Sequence, residues 1–234
     1  MKKILTITGI TIGCILIATA FVFFRSTAEG PAPSPAPPAV LDVAALKARA
    51  EQGDVQAQTR LGKAFAQGEG VARDYKLAAR WYGLAASNGN VEAEAILGEL
   101  CQAGQGVPHD ITNAVRWLTK AAKEGSTAAQ YDLGFMYERG QGVPKDEKLA
   151  AHWYQLAAEG GESLAQFDYG QRCVAGLGVA RDPIEGLKWL LLAQEGGLPD
   201  AKAKAESVQK DLSAAQINQA KQQAAAFRPR AAAR

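Results

Sequence analysis

The chain has 234 residues, of which 47% are hydrophobic, so it can bury a sizeable core. Its 26 lysines and arginines almost balance its 24 aspartates and glutamates. When Lys2, Lys3 and Arg25 are set aside, 23 basic residues face 24 acidic ones. This balance, without a basic stripe, argues against a nucleic-acid partner.

Residues 1–25 form a candidate membrane segment. Two lysines precede an uncharged stretch of 21 residues at positions 4–24, which is long enough to cross a hydrocarbon core of about 30 Å as a helix. Because positive residues stay inside, we expect one transmembrane helix with the amino terminus inside and the rest of the chain outside. The alternative is a cleaved signal peptide, since residues 26–28 are small; the apolar stretch exceeds the ~7–15 residues of a signal core, which favours the anchor.

A spacer and a capping helix are predicted next. Residues 26–40 are rich in proline and alanine, a composition typical of an extended, semi-rigid linker that rises ~3.1 Å per residue. Residues 41–53 then read as one helix that ends at Gly53. Because Gly53 lies 36 positions before Gly89, this segment is in phase with the units that follow. It is therefore predicted to be a capping half-repeat.

Four units of identical length follow, with no insertion between them. They are predicted at residues 54–89, 90–125, 126–161 and 162–197. All tryptophans of the chain recur at one phase: Trp81, Trp117, Trp153 and Trp189. In the third unit, Ala129, Leu133 and Tyr137 form one stripe of a first helix. Gly140 can end that helix in the left-handed conformation, and Asp146 can cap the second helix. A strict period of this kind predicts a stack of helical hairpins.

The repeated positions give the pattern A-x-x-x-L-G-x-x-Y-x-x-G-x-G-V-x-x-D-x-x-x-A-x-x-W-x-x-x-A-A-x-x-G. This pattern resembles the Sel-one-like repeat, a relative of the tetratricopeptide repeat, over about residues 57–197. The fold class is then an all-α solenoid of about four 36-residue helix–turn–helix repeats with helical caps, preceded by the transmembrane helix. The resemblance implies a right-handed superhelix whose first helices line the concave face. It also implies an adaptor of the bacterial envelope that binds other proteins, with the membrane segment in the inner membrane and the repeats in the periplasm.

Two further helices are predicted to cap the carboxyl end of the array, at residues 198–227. Pro199 can open a helix that extends to about Gln209. Ser213 and Gln216 have the spacing of a capping box, which opens the last helix. The basic tail at residues 228–234 carries three arginines and is expected to be frayed.

The sequence offers little evidence for catalysis or for bound cofactors. Two histidines, His109 and His152, lack partners at metal-ligand spacing, so no metal and no cofactor are predicted. Ser207 and Lys210 match the S-x-x-K pattern of serine acylases without its companion motifs, which we interpret as chance. Cys101 and Cys173 share a phase two repeats apart, too far for a disulfide, and are interpreted as core residues. The chain is therefore predicted not to be an enzyme.

A binding site is predicted at first-helix positions where the repeats differ, because invariant phases build the scaffold. The candidate groove residues are Thr59, Lys63, Glu99, Tyr131, Phe135, Arg139, Phe167 and Gln171. Their aromatic members beside an arginine have the composition of an interface hot spot for a protein or peptide partner. Alternatively, the rings pack between adjacent first helices. The other functions left open are an envelope enzyme or regulator acting on cell-wall material, and a glycan-binding module.

Overall fold

The computed structural model describes residues 41–230. The predicted membrane segment, the spacer at residues 26–40 and the end of the basic tail lie outside the described residues. Within this range the chain forms eleven α-helices and no β-strand. The helices are α1 Val43–Glu51, α2 Val55–Gln67, α3 Tyr75–Ser87, α4 Val91–Ala103, α5 Ile111–Lys123, α6 Thr127–Arg139, α7 Glu147–Glu159, α8 Ser163–Ala175, α9 Pro183–Glu195, α10 Pro199–Gln209 and α11 Ala214–Ala226. The predicted all-α class is confirmed; the right-handed sense of the superhelix stays a prediction.

The helix ends follow the capping chemistry of the sequence. Each first helix of a repeat ends at a glycine in the left-handed region: Gly68, Gly104, Gly140 and Gly176. Each second helix begins after an aspartate whose carboxylate accepts backbone N–H bonds: Asp74, Asp110, Asp146 and Asp182. These side chains satisfy donors that the first turn of a helix leaves unpaired. In all four repeats, the turn between the two helices of a hairpin therefore begins at a glycine and ends at an aspartate.

Helices that are consecutive in the chain pack against each other, from α1 to α9, and α10 and α11 both pack on α9. The glycine in the middle of each first helix makes room for this packing. A Cβ on Gly62 would lie 3.0 Å from Cδ1 of Tyr82, and one on Gly134 would lie 2.8 Å from Cδ1 of Tyr154. Since both distances are below ordinary contact, only glycine lets the two helices of a hairpin approach this closely.

The tryptophans lie in the seams of the stack. Trp81 and Trp189 are buried, whereas Trp117 and Trp153 are half-buried against the core clusters. Their invariance is thus explained by packing, and these rings do not form an exposed ladder on which sugars could stack. Cys101 and Cys173 are also buried, each as a free thiol, as predicted.

Buried amide side chains link three of the four first helices to the end of the helix before each. Three glutamines at one phase each donate from Nε2 to a carbonyl oxygen of the preceding helix: Gln58 to Ala50, Gln130 to Ala122 and Gln166 to Ala158. Glu94 occupies this phase in the second repeat and is fully buried. Its Oε1 accepts a hydrogen bond from Lys120 Nζ at 2.5 Å. The second repeat therefore replaces an amide hydrogen bond with an ion pair.

The carboxyl-terminal region differs from its prediction in one respect. Helices α10 and α11 begin where expected, and Ser213 with Gln216 forms the predicted capping box. The start of the basic tail is not frayed, however. The Phe227 ring lies 5.2 Å from that of Trp189, and the backbone N–H of Arg230 donates to Glu159 O at 2.7 Å. The tail packs against the array for two reasons. The Phe227 ring contacts the apolar seam at Trp189, and Arg230 donates to a carbonyl oxygen that the end of α7 leaves unpaired.

Candidate functional site

The first helices of the four repeats expose one side of the array, which we call the first-helix face. Residues spaced four, three and four apart lie on one side of a helix. In each first helix such a set is exposed or half-buried. The face consists of Gln56, Arg60, Lys63 and Gln67 in α2, Glu92, Ile96, Glu99 and Ala103 in α4, Ala128, Asp132, Phe135 and Arg139 in α6, and Leu164, Asp168, Gln171 and Ala175 in α8.

Five of the eight candidate residues lie on this face: Lys63, Glu99, Phe135, Arg139 and Gln171. Thr59 does not, since it is only 5% exposed and its hydroxyl donates to Val55 O at 3.0 Å. Its side chain is therefore largely enclosed, although it reaches the wall of a cavity on this face.

Tyr131 and Phe167 pack between helices. The Tyr131 hydroxyl donates to Asp168 Oδ2 at 3.1 Å, and its ring centroid lies 5.4 Å from that of Tyr154. Burial is the main reason that the pKa of Tyr131 is raised, followed by the charge of Asp168. Phe167 packs against the cluster that contains Leu187. Both rings therefore pack within the array, as the alternative interpretation proposed, but their contacts include second and capping helices and are not confined to adjacent first helices.

Phe135 is the aromatic residue that remains on the face. It is half-buried, and the guanidinium carbon of Arg139 lies 5.3 Å from its ring centroid. This distance is within the range of a cation–π contact. The aromatic patch that the sequence suggested is therefore a single ring covered in part by an arginine.

A cavity of ≈ 430 Å³ lies on the face where α1, α2 and α4 meet, and we call it the basic pocket. Arg49, Arg60 and Lys63 line it, with Glu69 and Glu92 also at its wall. Arg49 is engaged by Asp54, at 2.5 Å. Within residues 41–230, neither Arg60 nor Lys63 forms an ion pair. The pocket thus holds two cationic groups, Arg60 and Lys63, and two carboxylates, Glu69 and Glu92, and none of the four forms an ion pair within residues 41–230.

A second cavity, of ≈ 310 Å³, lies between α4, α6 and the loop before α6, and we call it the acidic pocket. Its apolar lining includes Val91, Ala95 and Ile96, whereas its charged lining consists of Glu92, Glu99 and Glu124. In the part of the chain that the structure covers, these three carboxylates take part in no ion pair. The cavity therefore combines an apolar wall with uncompensated negative charge.

Asp132 extends the acidic character of this region towards α6. It occupies the same phase as Ile96, one repeat later, and it is half-buried. Burial, together with the charge of Glu99, raises the pKa of Asp132 to about 6. A cation placed beside these two carboxylates would lower this pKa again, because it would stabilise the ionised form.

The sequence analysis did not predict Arg60, Glu92 and Asp132. It took Thr59 as an exposed position of the first helix, whereas the exposed residue is the next one, Arg60. The repeats show which positions vary, but Thr59 and Ala95 vary although they are buried. The signal that could have found the correct phase is the charge at Arg60 and Glu92, since unpaired charges are rarely buried.

The residues considered for chemistry are not assembled into a site. Ser207 and Lys210 are both exposed, at the end of α10. Among the described residues there is no group of three or more His, Cys, Asp or Glu side chains that could hold a metal ion. No helix of the described part is long and apolar enough to cross a membrane.

Comparison with known proteins agrees with this architecture. The sequence matches the Sel1 repeat at residues 55–90, 91–126, 127–162 and 163–198, one residue later than the predicted repeat borders. No protein with a curated description matches the chain. It is similar to the crystal structure of a protective antigen present in uropathogenic Escherichia coli strains that displays an SLR fold. That match has 34% identity and a TM-score of 0.71 over 79% of this chain and 40% of the antigen.

A second similar structure is a Sel1 repeat protein from Oxalobacter formigenes. The identity is 33% and the TM-score is 0.67, over 71% of this chain and 48% of that protein. The chain therefore spans less than half the length of either of these two structures. Since both are above 30% identical, the likeness concerns sequence as well as fold.

Proposed function

Because this chain belongs to the Sel1 repeat family, whose members are commonly protein–protein interaction scaffolds, we propose that it is a non-enzymatic scaffold that binds a partner protein on its first-helix face. The observation that supports this best is the pair of neighbouring cavities on that face, the basic pocket and the acidic pocket. A protein that only has to fold gains nothing from such cavities lined by unpaired charges. A partner that supplies the opposite charges would explain them.

The contrast with another charged cluster supports this proposal. Arg172 is buried in α8 and forms ion pairs with Glu138 at 3.1 Å and Glu147 at 2.7 Å. This chain therefore pairs a charge when it lies within the stack. The charges of Arg60 and Glu99 are left without such partners on the open face, where they remain accessible to another molecule.

Site-specific photo-crosslinking tests the proposal. A photoreactive phenylalanine analogue would replace Lys63 or Phe135 on the face, and Arg80 on the exposed side of α3 as the matched control, in the full chain in cells. A crosslinked protein that forms from Lys63 and Phe135 but not from Arg80 is expected. Crosslinks of equal yield at all three positions would contradict binding on this face.

The proposed location rests on the sequence alone. We propose that residues 1–25 anchor the chain in the inner membrane and that the repeats face the periplasm, because two lysines precede the apolar stretch. Carbonate extraction of membranes tests the anchor, and the amino-terminal sequence of the purified chain tests for cleavage. Release into the soluble fraction with residues 1–28 removed would favour the signal-peptide alternative.

A further inference from the structure

The basic pocket and the acidic pocket adjoin each other, and Glu92 lines both. From this arrangement we propose that the first-helix face recognises an extended segment of a partner protein that carries one acidic and one basic side chain on the same side, two or four residues apart. The acidic side chain enters the basic pocket, and a lysine or arginine enters the acidic pocket. This inference rests on the proposed scaffold function and adds the chemistry of the bound segment.

The acidic pocket fits a long cationic side chain better than a small cation. Lysine and arginine place an aliphatic stem along apolar surface and keep the charge at its edge. Val91, Ala95 and Ile96 provide the apolar surface. Glu99 and Glu124 provide carboxylates for the charged end, which can accept hydrogen bonds from an ammonium or guanidinium group.

The basic pocket fits a carboxylate. Arg60 and Lys63 lie one helical turn apart on α2 and both line the cavity. A guanidinium group can hold a carboxylate with two parallel hydrogen bonds, and the nearby ammonium group of Lys63 adds a second favourable charge. Since Asp54 engages Arg49, Arg60 and Lys63 are the groups left for the ligand.

The spacing follows from the wall that the two pockets share. Because Glu92 lines both cavities, the two side chains must lie close together and on the same side of the segment. Side chains of an extended chain alternate between its two sides and the chain rises about 3.3 Å per residue, so residues two or four apart, at about 7 or 13 Å, can reach both pockets. Opposite charges in the two pockets also fix the direction of the segment, because the reversed segment would place like charges together.

Selection from a random peptide library, displayed on phage, with the immobilised full chain tests this inference. The enriched peptides are expected to carry Asp or Glu two or four residues from Lys or Arg. Glu99→Lys should abolish the enrichment of the basic residue, and Lys63→Glu should abolish that of the acidic residue. A selected peptide should bind each of these variants about tenfold more weakly, whereas Lys202→Glu on the exposed side of α10 should leave its binding unchanged. Glu99→Gln and Lys63→Gln repeat the test if a reversed charge impairs folding.

The remaining outcomes separate this inference from the function on which it depends. Enriched peptides without paired charges, still lost in the Lys63 variants, would overturn the inference and leave the scaffold function standing. A library with no enrichment would contradict both. If light scattering then showed a dimer that Glu99→Lys dissociates, the face would bind a second copy of this chain in place of a partner's segment.

Discussion

Glu94 is the buried residue that differs most from its equivalents in the other repeats. Three glutamines at its phase donate an amide hydrogen bond to a carbonyl of the preceding helix. A carboxylate has no proton to donate there. Consistent with this, Oε2 of Glu94 is buried without a hydrogen-bond partner among residues 41–230. The second repeat therefore lacks a contact that the other three possess.

Glu94→Gln is expected to stabilise the fold, because it supplies the missing donor. A buried hydrogen bond contributes about 1 kcal/mol, which corresponds to a rise in Tm of roughly 2–4 °C for a chain of this size. The ion pair lost with Lys120, whose side chain is 44% exposed, offsets only part of this gain. Thermal unfolding followed by circular dichroism measures the change. The reverse substitution, Gln130→Glu, is the control and should lower Tm; a Glu94→Gln variant that loses as much stability as this control would contradict the argument.

Asp132 makes the stability of the fold depend on pH. Burial and the charge of Glu99 raise its pKa from 3.8 to about 6. Between these values the folded chain keeps a proton that the unfolded chain has lost, so stability falls as pH rises through this window and stays lower above it. Asp132→Asn removes this penalty. Its Tm is expected to exceed that of the wild type at about pH 7.5 and to approach it at about pH 4.

The control for this experiment is Asp211→Asn, which changes an exposed aspartate after α10. Its Tm difference from the wild type should stay nearly constant with pH. If Asp132→Asn gave the same constant difference, Asp132 would not hold its proton in the fold, and the cause assigned to its raised pKa would be refuted.

At the scale of the helical elements, the turn within each hairpin sets how closely the repeats stack. Gly106 and Gly178 both have a φ of +73°, in the left-handed region. A Cβ at Gly106 would overlap the carbonyl of Tyr75, and one at Gly178 would overlap that of Glu147. These carbonyls belong to the first residues of α3 and α7. The turn of one repeat therefore lies directly on the start of the second helix of the repeat before it.

Gly106→Ala is expected to destabilise the chain far more than Gly89→Ala. Both glycines have a positive φ, which costs a residue with a side chain about 1–2 kcal/mol. At Gly89, no atom of the described part lies within 4 Å of a new Cβ, so strain is the whole cost. At Gly106 the two repeats must also move apart, so the free energy of unfolding should fall by about 4 kcal/mol or more. Urea unfolding measures both losses, and equal values would show that this contact does not set the spacing.

The helix boundaries could be predicted because their causes are local. Gly140 and Asp146 mark the turn of the third hairpin from their own chemistry, and Pro199 and Ser213 open the two last helices in the same way. Which side of each helix is exposed could be predicted less accurately. A shift of one residue turns a helix by about 100°, and the tilt of each helix against its neighbours decides which phase stays open. This is why Thr59 is buried and Arg60 is exposed.

The candidate site depended even more on contacts between distant segments. The acidic pocket joins residues of α4 with the loop before α6, so that Glu99 and Glu124 share one cavity although the whole of α5 separates them in the chain. Glu99 was among the predicted groove residues, whereas nothing in the repeat pattern marks Glu124. The contact between Phe227 and Trp189 could not be predicted from the local sequence either, because the positive charge of the tail suggested a segment exposed to solvent.

At the scale of the whole molecule, repeats in an array contact only their neighbours, and the tail adds a longer connection. The guanidinium group of Arg230, in this tail, donates to Leu156 O at 3.2 Å and to Gln130 Oε1 at 3.5 Å. Gln130 belongs to the first helix of the third repeat, whereas α11 packs against the fourth. Arg230 therefore connects the carboxyl-terminal end of the described chain to the third repeat. The amino-terminal cap is a single helix, α1, which packs on α2.

This asymmetry predicts which end of the array opens first. Hydrogen exchange of the full chain, read by mass spectrometry, should be fastest in α1 and slower in α11, because only α11 is followed by a docked tail. Arg230→Ala should speed exchange in α11 and at the end of α7, and leave α2 and α3 unchanged, because the lost side-chain contacts are those with Leu156 O, the Glu159 carboxylate and Gln130 Oε1. Arg228→Ala is the matched control, since Arg228 bonds only to Ala225 and Phe227 within the described residues. Equal acceleration by both substitutions would mean that the tail's charge, and not the contacts of Arg230, holds the cap in place.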